Sequence, residues 1–165
     1  MTEYDVDFGE KLAETARIVL NIGTETQEAV RVVTYLSLLS AEISLKAMLE
    51  RAGIDPAVIR KRSHSLEALL GDFSGCQIEI EIAPGVKGFI SATRLRSIGI
   101  PYRGSNTTVG RVLQAEQEGA STYPNEVRYG EAFRHFPPAV LVGMADSVAA
   151  FAKEHWTSLR VKNDS

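Results

Sequence analysis

The amino-acid sequence predicts an all-α fold, an up-and-down bundle of four to six helices with a loop-rich insertion before the last two. Apolar residues recur every three or four positions along several long segments, which is the period of one helix face. Helix-capping residues stand at the ends of these segments. The chain has 165 residues, 44% of them hydrophobic, which is enough for one domain with its own core. We therefore expect a single helical domain over residues 1–165, with the insertion at about 75–119.

The two N-terminal helices are the most clearly marked. The first is predicted from about Asp7 to Ile22, with Gly23 at its end. The second is predicted from Gln27 to Arg51, a segment nearly free of Gly and Pro, and Thr24–Thr26 offer its N-cap. Its apolar residues form two stripes, so we expect neighbours on two sides, as for the central helix of a bundle. The stripes are Val33, Leu36, Ile43 and Ala47, and beside them Leu38, Leu45 and Leu49.

A short helix and a longer one are predicted next. Gly53 stands where a left-handed C-cap glycine belongs. Asp55 and Pro56 are predicted as the N-cap and first residue of a helical turn that continues to Arg62. Ser63 is then expected to cap a helix with the sequence HSLEALLGDF.

The segment after this helix gives a weaker pattern. The stretch QIEIEI alternates like a strand, but no second alternating run pairs with it, so a helix or an irregular loop is equally compatible. The stretch GIPYRGSNTTVG is rich in turn residues and is expected to be an exposed loop. Beyond it, helices are predicted from about Arg111 to Glu118 and from Pro138 onward. The last helix carries an apolar stripe of Val140, Met144, Val148, Phe151 and His155.

Composition and charge narrow the classes of function. The net charge is −3, yet residues 1–50 carry four basic and nine acidic residues, whereas residues 51–111 carry nine basic and five acidic. The single cysteine, Cys76, cannot form an internal disulfide and is expected to be buried, which fits a reducing cytosol. The N-terminus has no signal pattern, and no apolar run approaches the roughly 18 residues needed to span a bilayer. We therefore expect a cytoplasmic protein without membrane contact.

The histidines do not follow a metal-binding pattern. His64, His135 and His155 are far apart in the sequence, and none has a second His, a Cys or a paired carboxylate at ligand spacing. The sequence also lacks a glycine-rich phosphate loop and a serine-histidine triad. We expect neither a metal nor a cofactor.

Two charged features are candidates for a functional site. Glu42 and Lys46 are an i,i+4 pair in the middle of the most apolar helix. They form either an ion pair at the edge of the core or a polar contact with a ligand in a cleft between helices. The basic run Arg60–Arg62, followed by His64, precedes a helix N-terminus. This run is either a solvated turn or a site for a phosphate group.

Three motifs, in the order in which they follow one another along the chain, resemble the HEPN family of helical domains. Glu42 and Lys46 in YLSLLSAEISLKAMLERAGIDP are similar to the acidic residue and lysine of the family's long helix. His64 in RSHSLEALL is similar to the histidine at the start of the family's next helix. Arg128 and Tyr129 in VRYGEAF are similar to the arginine-tyrosine pair before its last helix.

The resemblance covers residues 24–153 approximately and implies one of two functions. HEPN domains of one kind bind nucleotides or accompany a nucleotidyltransferase. Those of the other kind are metal-independent endoribonucleases, often toxins or antiviral effectors, in which an Arg and a His act across a dimer interface. In the binding role, the resemblance and the basic run together imply phosphate or nucleotide contacts from Arg128, Tyr129, Lys46, Glu42, Arg60, Arg62 and His64.

Arg128 and His135 are the candidate catalytic pair of the ribonuclease alternative. Cleavage needs an imidazole to move a proton and a permanent cation to stabilise the phosphorane. On a continuous helix the two residues would face the same side. However, Tyr129 stands where nuclease members typically have a small polar residue, and Gly130 and Pro137 disfavour a continuous helix. We therefore expect a nucleotide- or RNA-binding protein, with the ribonuclease as the alternative and a helical scaffold for a nucleotidyltransferase as a third possibility.

The sequence also suggests partners. The apolar excess on the second and last helices predicts a homodimer. The resemblance implies a place in a toxin-antitoxin, defence or stress system, with a nucleotidyltransferase or an antitoxin as a further partner.

Overall fold

The computed structural model describes residues 2–118, 124 and 136–162, and the bounds given below refer to these residues. The helices are α1 (Val6–Ile22), α2 (Gln27–Ala52), α3 (Pro56–Lys61), α4 (Leu66–Ser74), α5 (Val109–Glu118) and α6 (Pro138–His155), and a 3-10 helix spans Ala92–Ser97. The strands are β1 (Cys76–Ala83), β2 (Val86–Ser91), β3 (Gly99–Tyr102), β4 (Ser105–Thr108) and β5 (Leu159–Val161).

The fold is mixed α/β, so the prediction of an all-α bundle is wrong. One antiparallel sheet has the strand order β2-β1-β5, and a second pairs β3 with β4. Four of these five strands lie in the segment that was expected to be a loop-rich insertion. The stretch GIPYRGSNTTVG, expected to be an exposed loop, contains the β3–β4 hairpin, and Ile100 in β3 is buried in the main core.

The β1–β2 hairpin explains why the alternating pattern was inconclusive. QIEIEI is a strand, but its partner VKGFIS does not alternate cleanly because Gly88 stands opposite Ile80. Ile78 faces Ile90 in the same register. The other edge of β1 pairs with β5, which follows the last helix. The sequence pattern therefore reveals neither β2 nor β5, the two strands that pair with β1.

Three long helices pack together and form the helical part of the fold. Asp7 near the start of α1 forms an ion pair with Lys153 near the end of α6, so these two helices are antiparallel. At the end of α2, Arg51 donates a hydrogen bond from Nε to the carbonyl oxygen of Trp156, just after α6, at 3.0 Å. The C-terminal ends of α2 and α6 therefore lie side by side, and these helices run in parallel.

A close contact between α1 and α2 depends on Gly9. The hydroxyl of Ser40 donates a hydrogen bond to the Gly9 carbonyl oxygen at 2.6 Å. A Cβ atom at position 9 would lie 2.5 Å from the Ser44 hydroxyl oxygen, which is well inside van der Waals contact. A side chain at this position would therefore push the two helices apart.

The boundaries of the first helices follow the predicted caps. The side-chain oxygens of Thr26 and Asp55 accept backbone N–H groups at the starts of α2 and α3. Gly53 ends α2 in the left-handed conformation with φ 112°, which L side chains rarely adopt. Each of these signals is local in sequence, which is why the predicted bounds agree with the structure to within a residue or two.

The centre of α2 is covered on several sides by apolar side chains, as predicted. Leu45 and Met48 are fully buried in one core with Leu69 of α4, and Phe73 of α4 meets Phe151 of α6 edge to face at 6.0 Å. By length and composition α2 is also apolar enough to cross a membrane, contrary to the sequence-based expectation, and 72% of its most apolar window is buried within the fold. The core helix of a soluble protein has the same properties, so this helix is weak evidence for a membrane protein.

Candidate functional site

The predicted acid-base pair on α2 is buried. Lys46 Nζ lies 2.7 Å from Glu42 Oε1, and the side chains are only 9% and 3% exposed. Glu42 and Lys46 are one helical turn apart, so the contact between their side chains follows from their spacing in the sequence. Burying two opposite charges has a desolvation cost of several kcal/mol for each ion in proteins, which close pairing offsets only in part.

His64 joins the pair from the connection between α3 and α4. Its Nδ1 atom lies 3.0 Å and 3.1 Å from the two carboxylate oxygens of Glu42. Because a carboxylate accepts hydrogen bonds and does not donate them, this contact places a proton on Nδ1. The side chain of His64 is 46% exposed, whereas Glu42 is almost completely covered. The imidazole therefore connects the buried charges to the surface.

The connection between α3 and α4 directs His64 toward α2. Ser63 adopts a left-handed conformation with φ 51°, which is unusual for a residue with a side chain. Ser65, two residues later, is the N-cap of α4 and accepts the N–H of Ala68 at 3.3 Å. The prediction that Ser63 caps this helix is therefore wrong by two residues. The sharp turn at Ser63 and the cap at Ser65 hold His64 between them.

The N-terminal segment crosses the same region. The ring centroid of Tyr4 lies 5.5 Å from Lys46 Nζ, a cation-π distance. The carboxylate of Glu50 accepts the backbone N–H groups of Glu3 and Tyr4 at 2.8 Å and 3.0 Å, which fixes this segment to α2. Partial burial and the neighbouring Glu3 carboxylate raise the pKa of Tyr4 above its ordinary value, so the phenol stays neutral at physiological pH.

The two predicted phosphate-binding arginines are already paired with carboxylates. Arg60 forms an ion pair with Glu3. Arg62 makes a two-pronged contact with Asp72, with Nε and Nη2 at 2.6 Å and 2.9 Å from the two carboxylate oxygens. This hydrogen bonding raises the pKa of Arg62 still further. A phosphate group at this turn would have to compete with Glu3 and Asp72, so these arginines are weaker candidates than the sequence suggested.

The structure thus brings together three of the predicted site residues, and we call Glu42, Lys46 and His64 the buried-charge cluster. Arg60 and Arg62 lie on the connection that leads to it. Arg128, Tyr129 and His135 lie outside the described residues, so their predicted roles stay predictions. Sequence reasoning missed Tyr4, Glu50 and Asp72, because contacts between segments more distant than one helical turn leave no periodic signal.

Two other features of the described part of the chain bear on its chemistry. Within residues 2–118 and 136–162, no group of three or more His, Cys, Asp or Glu side chains is placed to hold a metal ion. Cys76 is buried, as predicted, and burial together with the nearby Asp72 carboxylate raises the pKa of its thiol to about 11. It is therefore a protonated core residue near neutral pH.

Comparisons with known proteins give no assignment. No protein-family model matches the chain, and no curated protein and no solved structure matches it. The resemblance to HEPN domains therefore stays a prediction that rests on three short motifs.

The buried-charge cluster has a definite chemical capacity. With the Nδ1 proton directed at Glu42, the other ring nitrogen of a neutral His64 is a hydrogen-bond acceptor, and in the protonated ring it is a charged donor. Lys46 compensates the carboxylate charge at the same time. The cluster can therefore orient one imidazole toward a ligand hydroxyl or a phosphate oxygen without leaving an unpaired charge in the core.

Proposed function

We propose that this protein binds a nucleotide or an RNA phosphate through His64, held by Glu42 and Lys46. The observation that carries the proposal is the hydrogen-bonded connection from a buried ion pair to a half-exposed imidazole. The contact from His64 gives the buried carboxylate a further hydrogen bond, and it also brings a titratable ring to the surface. A ligand-binding site needs such a group, because it must present a donor or acceptor at the surface.

The surroundings of the cluster support a ligand with both a phosphate and an aromatic base. Tyr4 is half-buried beside Lys46 and offers an aromatic face at the site. Arg60 and Arg62 add positive charge nearby, although both are paired. A phosphate could share these arginines with Glu3 and Asp72, as a second acceptor on guanidinium groups that have five N–H donors each.

The biological setting follows from the resemblance to HEPN domains. We infer a cytoplasmic homodimer that belongs to a toxin-antitoxin, defence or stress system, with a nucleotidyltransferase or an antitoxin as a further partner. Light scattering at micromolar concentration tests the dimer: the expected mass is twice that of one chain, and the mass of a single chain would contradict this part of the proposal.

The binding proposal is tested with ATP by calorimetry and with a fluorescent single-stranded RNA by polarisation. We expect the His64→Ala variant to bind at least about tenfold more weakly, the usual effect of losing one charge-assisted hydrogen bond. Lys11→Ala is the matched control, because Lys11 forms an exposed ion pair on α1 and touches none of the cluster. Absence of binding, or equal binding by His64→Ala and the parent protein, would contradict the proposal.

The same RNA mixture, with EDTA present, distinguishes binding from cleavage. A binding protein leaves the RNA intact. Cleavage that persists in EDTA and disappears in His135→Ala would instead favour the ribonuclease alternative with Arg128 and His135.

A further inference from the structure

A cleft lies between the 3-10 helix and the C-terminal end of α6, apart from the buried-charge cluster. Its volume is about 460 Å³, within the range of roughly 300–1,000 Å³ that is usual for small-molecule sites. Arg94 and Ser97 line it from the 3-10 helix, and Phe151 and His155 line it from α6. None of these residues belongs to the buried-charge cluster, so a ligand here would not need Glu42, Lys46 or His64.

Arg94 differs from its neighbour Arg96 in the partners that surround it. Arg96 donates a hydrogen bond to the Ser74 hydroxyl at 2.9 Å and lies 3.9 Å from a carboxylate oxygen of Glu67. Arg94 has no ion pair with any residue in the described part of the chain. A guanidinium group without a carboxylate partner at the edge of a cleft is suited to bind an anionic group of a ligand.

Two further side chains add donors to the same cleft. Ser97 carries a hydroxyl, and His155 carries ring nitrogens of which Nε2 is 3.8 Å from Glu154, too far for a hydrogen bond. The imidazole is 22% exposed and therefore still accessible. With Arg94, these groups make three donor side chains, which matches the three terminal oxygens of a phosphate monoester better than the two oxygens of a carboxylate.

The α6 side of the cleft carries one partly exposed ring, that of His155, which packs on the buried ring of Phe151. The rings of Phe151 and His155 lie 4.5 Å apart between centroids at an angle of 58°. Ile98 extends the apolar lining. Phe151 is only 6% exposed, so a planar base would stack on the partly exposed ring of His155.

The same cleft limits the negative charge of its ligand. Glu154 lines the rim, 74% exposed, and the C-terminal end of α6 carries partial negative charge from its last carbonyl groups. Arg94 offsets one of the roughly 1.5–2 negative charges of a phosphate monoester, whereas the additional charges of a triphosphate would face this negative end. We infer that the cleft binds a nucleoside monophosphate and disfavours the triphosphate.

The inference is tested by titrating the full chain and its His64→Ala variant, in which the buried-charge cluster is disabled, with AMP, adenosine and ATP by calorimetry. In His64→Ala we expect AMP to bind, adenosine to bind about tenfold or more weakly because it lacks the anion, and ATP to bind more weakly than AMP. Arg94→Ala should weaken AMP binding by about tenfold or more. Arg103→Ala is the matched control, because Arg103 stacks on Tyr102 outside the cleft and should leave the AMP affinity within about twofold.

A crossed comparison separates this inference from the proposed function. If AMP binding falls in Arg94→Ala and is unchanged in His64→Ala, the cleft is confirmed as a separate site, whatever the RNA result. If AMP binding falls in His64→Ala and is unchanged in Arg94→Ala, the inference is wrong and the buried-charge cluster takes the nucleotide alone. Absence of AMP binding by the parent protein would also overturn the inference.

Discussion

Two ion pairs on neighbouring helices have similar spacing in the sequence but very different exposure to solvent. Lys11 and Glu14 on α1 are three residues apart, and their side chains are 71% and 52% exposed. Glu42 and Lys46 on α2 are four residues apart and are nearly inaccessible. Both pairs are apparent from the sequence, because residues at these spacings meet on a helix surface. Only the structure distinguishes a solvated pair from one with a possible functional role.

The difference arises from the surroundings of the two helices. One face of α1 remains in water, whereas α2 contacts α1, α4 and α6. Exposed ion pairs contribute little to stability, since water screens their attraction and both side chains lose conformational freedom. Buried pairs carry a desolvation cost and become strongly unfavourable when one partner is removed. Four variants or measurements, taken in decreasing order of effect, test this contrast.

The largest effect is expected for Lys46→Ala. This substitution leaves the Glu42 carboxylate in the core with its ammonium partner removed, and breaking a buried pair typically costs about 3–5 kcal/mol. We expect the free energy of unfolding in urea to fall by about 3 kcal/mol, since His64 still contacts the carboxylate. A change below about 1 kcal/mol would mean that the pair is effectively solvated.

The second largest effect is expected for the rate at which the buried thiol of Cys76 is alkylated. Burial and the Asp72 carboxylate raise the pKa of Cys76 to about 11, which favours the neutral thiol. At pH 8 we expect iodoacetamide to alkylate the native protein at least about a hundredfold more slowly than the urea-unfolded chain, since two pKa units reduce the thiolate fraction about a hundredfold and burial of the thiol also blocks access of the reagent. The native rate should rise with pH through about 11. Equal rates in the native and unfolded states at pH 8 would contradict this.

A smaller effect is expected when both members of the buried pair are replaced. The double variant Glu42→Gln with Lys46→Met removes the charges and retains side chains of similar volume. Replacement of a buried ion pair by neutral groups is often close to neutral for stability, so we expect a change within about 1–2 kcal/mol. RNA binding should nevertheless weaken, because the amide of Gln can accept the His64 hydrogen bond but cannot supply the negative charge that stabilises a protonated imidazole. A stable double variant with unchanged RNA affinity would assign the cluster a structural role.

The smallest effect is expected for Lys11→Met. The side chain is exposed, and hydrogen bonding to Glu14 raises its pKa above the ordinary value, so it is charged throughout the usual pH range. We expect no measurable shift in the urea midpoint at physiological salt. A clear fall in the urea midpoint would show that the exposed pair contributes to stability as the buried pair does.

The fold was predictable from the sequence wherever the signal was local. The caps at Thr26, Gly53 and Asp55 are confirmed because each depends on a side chain or backbone angle within a few residues of the helix end. The sheets were missed because strand pairing joins distant segments: Ile78 of β1 faces Ile90 on one side and Leu159 on the other. Neither partner segment carries an alternating pattern long enough to be recognised by itself.

The candidate site was predictable to a similar extent. The spacing of Glu42 and Lys46 indicated their contact, and the resemblance to HEPN domains singled out His64. Neither the burial of the pair nor the hydrogen bond from His64 follows from spacing, since both depend on how the connection between α3 and α4 returns to α2. The aromatic ring of Tyr4 approaches from the N-terminal segment and was not expected at all.

The position of β5 has a consequence for synthesis on the ribosome. β1 acquires its second neighbour from a strand that follows α6, so one edge of β1 stays unpaired until the segment after α6 has emerged. An open strand edge is a template for pairing with other chains. A shortened chain that ends at His155 would keep all of its helices but lose the cover of that edge. Such a chain is expected to aggregate during expression, even though it retains the residues of the buried-charge cluster.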